Sequence, residues 1–311
     1  MGNLRKSDLS GIVTVLNTPF ALDGTPDLQG LARHVQYAVY AGVNGFLVPA
    51  MASEVGYLNR DERRAIVATV LESCAGRVPV IGGATAPRQE RLGIVEELLS
   101  QGCDGILSAI PYTNEATYRD EVEELARSGT DYLMIQDWDA SGYGVPVELI
   151  ARLSRDIPAF RCLKVEVVPA GAKYTQVKQA TGGKLQVAGG WAVMHLIDGL
   201  DRGVDVFMPT GLHELYVGMV KLYREGQREE AVRWFRKLLP ILTFSNQHLD
   251  VSICFFKRLL FRQGIYETDS VRVPLRFWDE ANRRQAEVLI DEALVLIDEM
   301  CSLGHCTKNV K

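Results

Sequence analysis

Several features that mark whole classes of protein are missing from this sequence. No apolar stretch reaches the roughly 18 residues a membrane span needs. The opening MGNLRKSDLS lacks the apolar core of a signal peptide, and Lys6 stands where a myristoylation pattern requires Ser or Thr. Acidic residues (39) outnumber Lys and Arg (34), the net charge is −5, and there is no basic cluster, so neither nucleic acid nor a membrane surface is favoured as a partner. There is no phosphate-cradling G-x-G-x-x-G, no Ser-His-Asp order and no C-x-x-C pair. The six cysteines (74, 103, 162, 254, 301 and 306) are scattered, as reduced core residues of a cytoplasmic protein are. Cys301, His305 and Cys306 sit together in a polar tail that reads as a frayed end rather than a metal site.

What the sequence does have is alternation. Of its 311 residues 47% are hydrophobic, and they gather into short runs: GIVTVLNTPF (11–20), GFLVPA (45–50), VPVIGG (78–83), GILSAI (105–110), YLMIQD (132–137), FRCLKVE (160–166), LQVAGG (185–190) and DVFMP (205–209). Val, Ile, Leu and Phe dominate them without polar alternation, the pattern of parallel strands covered on both faces. Segments of helical period separate them at 27–41, 60–75, 87–101, 114–128, 146–156, 170–181, 191–201 and 211–225. Asp27 and Asn59 mark helix starts, and Gly42, Gly76, Gly102, Gly129, Gly182 and Gly226 mark stops. Strand–helix units in this number predict an α/β protein, a closed (β/α)8 TIM barrel over residues 1–226, rather than an open sheet. Residues 227–311 predict a C-terminal helical extension packed on the barrel.

Chemistry in such a barrel sits at the carboxyl ends of the strands. There the sequence places Asn17 and Thr18, then Met51, Ala52, Ser53 and Glu54. Further along come Pro111, Tyr112 and Thr113, the QDWD run holding Gln136, Asp137 and Asp139, Lys164 with Glu166, the Gly189-Gly190 pair, Phe207, and His213. Lys164 is the most unusual, an ammonium in an apolar strand. An unpaired buried charge costs several kcal/mol, so the group finds a partner or sheds its proton, and a neutral lysine is a nucleophile. Plainer readings stand beside this one. Lys164 can snorkel or pair with Glu166, Glu54 can cap a helix, and Asp137 and Asp139 can hold loops. Tyr112 can simply pack, His213 can open an ordinary helix, and Gly189 and Gly190 can serve a tight turn.

The ordered set of motifs resembles the dihydrodipicolinate synthase / N-acetylneuraminate lyase family across essentially the whole chain. TVLNTPF looks like its strand-1 T-P-F, and AMASEVGYLNRDERRAIV like its G-T-T-G-E loop and L-T-x-E-E-R helix start. ILSAIPYT is similar to its P-Y-Y tract, and CLKVE to the strand bearing its Schiff-base lysine. The resemblance implies that Lys164 attacks the ketone of pyruvate or another 2-oxo acid, its amine kept proton-free by burial, and that the imine drives C–C or C–O cleavage. It implies catalytic roles at Lys164, Gln136 and Tyr112, and substrate contacts at Thr18, Met51, Ala52, Ser53, Glu54, Asp137, Gly189 and Phe207. No cofactor or metal is called for, and a homo-oligomer, dimer or tetramer, is implied.

The departures point to a divergent member rather than the lysine-pathway synthase. Gln136 occupies the position of the family's strand-5 tyrosine and cannot carry a proton, which turns attention to Asp137, Tyr112, Tyr143 or a water. Met51 and Ala52 replace two threonines, Thr113 replaces the second tyrosine, and DWDASGYG has no arginine to hold a second carboxylate. An aldolase or dehydratase acting on a sugar-derived or other 2-oxo acid is the expectation. The alternatives are a member that binds an oxo acid without turnover, and a metal-dependent barrel enzyme using Asp137, Asp139, Glu166 and His213.

Overall fold

The computed structural model describes residues 9–139, 142–190 and 194–304. Eight parallel strands close into a barrel in sequence order: β1 (Gly11–Val15), β2 (Gly45–Val48), β3 (Val80–Gly83), β4 (Gly105–Ala109), β5 (Leu133–Asp139), β6 (Phe160–Val167), β7 (Gln186–Gly189) and β8 (Val206–Phe207). Between and after them run α1 (Leu28–Ala41), α2 (Arg60–Cys74), α3 (Arg88–Gln101), α4 (Glu115–Ala126), α5 (Val147–Asp156), α6 (Ala170–Ala180), α7 (Leu196–Asp201) and α8 (His213–Arg224). The chain then continues through α9 (Arg228–Ser245), α10 (Leu249–Arg262) and α11 (Glu280–Ser302). The chain is thus a (β/α)8 TIM barrel with helices beyond the eighth unit.

Local chemistry sets the helix ends. The Asp27 carboxylate accepts from Gly30 N at 2.9 Å, and Gly42 (φ 96°) closes α1 in the left-handed region. Asn59 and Glu62 cap α2 reciprocally. The apolar run at 11–20 pairs as a strand only over Gly11–Val15. Helix α7 begins at Leu196, and residues 191–193 of its periodic segment lie outside the described residues.

Two compact units make up the chain, each drawn from several stretches. The first takes residues 1–13, 45–47 and 79–208, so it holds β3 to β8 and α3 to α7. Its core is strand side chains that are wholly buried, among them Ile81, Ile106, Met134, Leu163 and Val187. The second takes residues 14–44, 48–78 and 209–311, with α1, α2 and α8 to α11, and buries Val35, Ile66, Tyr216, Ile241, Phe255 and Ile290. Position 226, the expected end of the barrel portion, falls inside this second unit. Cys74, Cys103, Cys162 and Cys254 are free and buried. Cys301 is disulfide-bonded, a correction to the all-reduced expectation. His305 and Cys306 lie outside the described residues. Among the described residues no helix is long and apolar enough to cross a membrane.

Candidate active site

Side chains alternate across a strand, so residues two apart share a face and adjacent ones do not. That rule sorts the polar residues of β5 and β6. Lys164 and Glu166 fall on one face of β6, and Gln136 of β5 is the register partner of Lys164. On the other side Lys164 is opposite Ala188 of β7. Lys164 Nζ stands 3.2 Å from Glu166 Oε1, with the lysine residue only 7% exposed. Gln136 Nε2 donates to Glu166 Oε2. Gly190 completes the arrangement: a Cβ there would come within 1.7 Å of Glu166 Oε1, so only glycine lets the carboxylate lie where it does.

Of the two ways a buried ammonium can be accommodated, the structure has the first: Lys164 has a carboxylate partner, Glu166. A carboxylate at this distance can take the amine's proton and return it.

Asp137, adjacent to Gln136, faces the other way. It sits 2.8 Å from Lys173 Nζ on α6 and accepts from Val145 N at 3.0 Å, while Lys173 also donates to the Tyr143 and Val145 carbonyls at 2.5 Å each. Burial holds its carboxyl above the usual range despite the lysine. Asp137 therefore fixes the loop at 143–145 rather than contacting a ligand on the Lys164 face. Phe207 is likewise turned outward, its ring against Gly199 of α7, where an added Cβ would meet it at 2.8 Å. The Tyr112 ring, 38% exposed, packs edge-on to Tyr118 with centroids 5.6 Å apart. The Tyr143 hydroxyl donates to Gln176. Gly189 is buried at the end of β7, paired with Val165 and Phe207.

In the second unit, the loop after β2 is tied down from the end of β1. Asn17 Nδ2 donates to Ala52 O at 2.7 Å, Thr18 Oγ1 to Ser53 O at 2.8 Å, and Ser53 Oγ to Leu16 O at 2.5 Å. Met51 is exposed and Ala52 buried. Both Glu54 oxygens are already engaged, Oε1 by Lys257 Nζ and Oε2 by the backbone N–H groups of Arg272 and Val273 at 2.6 and 2.8 Å. The expected substrate contact at Glu54 thus finds its acceptors spent on anchoring the 270–273 segment. His213 is fully buried, hydrogen-bonded to Thr14 and His34. The four ligands of the metal-enzyme alternative do not converge: among the described residues no three His, Cys, Asp or Glu side chains form a group able to hold an ion.

The sequence marked Gln136 and Lys164 as catalytic, and Glu166 as an ion-pair partner or a metal ligand but not as a catalytic residue of the lyase reading. The signal was the two-residue spacing of LKVE, which places both groups on one face.

Residues 8–293 match the model of the dihydrodipicolinate synthetase family. Among curated relatives, the chain is 27% identical over 282 residues to an L-2-keto-3-deoxyarabonate dehydratase of Azospirillum brasilense, covering 85% of this chain and 88% of that one. It is 26% identical over 285 residues to a 4-hydroxy-tetrahydrodipicolinate synthase of Porphyromonas gingivalis, covering 87% and 92%. Among solved structures, the dihydrodipicolinate synthase of Rhodopseudomonas palustris superposes with a TM-score of 0.84 at 22% identity, over 91% of this chain and 97% of that one. A prophage protein of the dihydrodipicolinic acid synthase family from E. coli, in complex with pyruvate, gives 0.82 at 23% identity, over 93% and 99%.

Proposed function

The chain belongs to the dihydrodipicolinate synthetase family of lyases, and from that premise we propose that it is a Schiff-base lyase whose nucleophile is Lys164. The observation that carries the reading is the Lys164 amine, nearly buried on β6 with a proton-accepting carboxylate 3.2 Å away. Once Glu166 has taken its proton, Nζ adds to the ketone carbon of a 2-oxo acid. The carbinolamine loses water, and the resulting iminium draws electrons from the neighbouring carbon. A C–C or C–O bond one atom further out then breaks.

Two features support a hydroxylated 2-oxo acid as substrate, with dehydration as the reaction. One is similarity to a protein named a keto-deoxy sugar acid dehydratase. The other is DWDASGYG, which offers no guanidinium for a second carboxylate. Incubation with pyruvate and borohydride should leave a reduced adduct on the Lys164 peptide, read by mass spectrometry, and Lys164→Arg should leave none. A folded protein that traps no member of a panel of 2-oxo acids would overturn the reading. Gln136, which cannot carry a proton, favours a second reading, binding without turnover; trapping with no 2-oxo acid consumed would select it.

A further inference from the structure

The geometry points to Glu166 as the catalytic proton carrier of this site, the role that Gln136 cannot fill. The inference rests on the Schiff-base reading and concerns the step after imine formation. Glu166 Oε1 lies 3.2 Å from Lys164 Nζ, and in the imine the acidic carbon of the substrate is two bonds from that nitrogen, within the carboxylate's sweep. The Gln136 amide donates to Oε2, so it holds the carboxylate in place and leaves Oε1 to act. The other candidates are occupied elsewhere. Asp137 faces Lys173, the Tyr143 hydroxyl is bound to Gln176, and Tyr112 packs on Tyr118.

In the dehydration, Glu166 removes a proton from the carbon next to the iminium, and the C–H electron pair forms the enamine. The enamine then expels the hydroxyl one carbon further out. That hydroxyl leaves as water with the proton Glu166 has just taken, which regenerates the carboxylate and a conjugated iminium. Hydrolysis of the iminium releases the product and the free amine. One carboxylate thus serves as base and then acid, and no outside donor is required.

Pyruvate separates the two claims, because its imine exposes acidic methyl protons whether or not the natural substrate is known. In deuterium oxide the wild-type protein should exchange these protons, followed by proton NMR. Glu166→Gln keeps the shape and the contact to Gln136 but cannot accept a proton. Its exchange rate, taken per imine captured, should fall on the order of 10²-fold or more, while borohydride on prolonged incubation still captures a Lys164 adduct, formed more slowly because water must take the amine's proton. If Glu166→Gln fails to fold, Gly190→Ala decides: its methyl displaces the carboxylate and leaves every functional group in the chain, so exchange should fall while trapping persists. Failure of the wild type to trap overturns the Schiff-base reading itself. Trapping without exchange in the wild type, or undiminished exchange in the variants, overturns the role of Glu166 alone.

Discussion

Three lysines are buried among the described residues, and their N–H groups tell them apart. Lys173 spends two on the Tyr143 and Val145 carbonyls and sets its charge against Asp137. Lys257 donates to Glu54 and to Ser270 O and lies over the Phe20 ring, and burial lowers it to about 8. Both are saturated, as structural ammonium groups should be. Among the described residues Lys164 meets a single partner, Glu166. An amine with unspent valence beside a base is the one able to react. Lys173→Met should therefore strand Asp137 as a buried unpaired acid and lower the unfolding free energy by about 3–5 kcal/mol, measured by urea denaturation. A loss below about 1 kcal/mol would show that the pair is not a structural clamp.

At the scale of elements, β1, α1, α8 and the segment after α10 are joined by one hydrogen-bonded chain. Tyr266 donates to the Asn17 carbonyl at 3.1 Å, an acceptor only, so its oxygen must receive from His34 Nδ1 at 2.8 Å. His34 Nε2 is then an acceptor, served by His213 Nε2–H at 3.0 Å, and Thr14 donates to His213 Nδ1 at 3.3 Å. The chain is satisfied only with both rings neutral. Burial agrees, holding His213 down at about 3 and His34 well below the ordinary imidazole range, and a proton on His213 would push His34 lower still. Below about pH 6.5 the unfolded chain takes up protons that the folded one refuses, so stability should fall as pH drops from there toward 3. Each ring contributes a slope of up to about 1.4 kcal/mol per pH unit. Glu214 and Asp137, whose carboxyls burial raises, act in the opposite sense. His34→Gln keeps a donor and an acceptor but removes one titrating ring. Urea midpoints at pH 7 and 5 should then show a flatter acid dependence than the wild type; an unchanged slope would refute the neutral pair.

Over the whole molecule, the closed barrel decides what kind of group can stand beside Lys164. On the β5–β6 side of Lys164 that group is an acidic and amide pair rather than a phenol. Such a wall suits hydroxyls that donate to it and repels a second carboxylate. Hydroxylated 2-oxo acids should therefore exceed aspartate semialdehyde with pyruvate by on the order of 10²-fold or more in kcat/KM. Comparable values for the two would remove the basis for calling this a divergent member.

The sequence by itself determined the period of every element, and with it the barrel. Apolar runs without polar alternation admit only strands covered on both faces, and that holds without knowing any partner. It also singled out Lys164, because one ammonium among apolar residues is visible along the chain. Only the tertiary structure decided which polar residues share a face with it. Gln136 and Asp137 are neighbours in sequence, yet pleating sends one toward Lys164 and the other toward Lys173 on α6. Phe207 turned to α7 for the same reason, and Glu54 was claimed by Lys257, 203 positions away. Composition and spacing record what a residue is. Whether a carboxylate is spent or free depends on what folding brings against it, and for Glu166 that was the amine of Lys164 and the amide of Gln136.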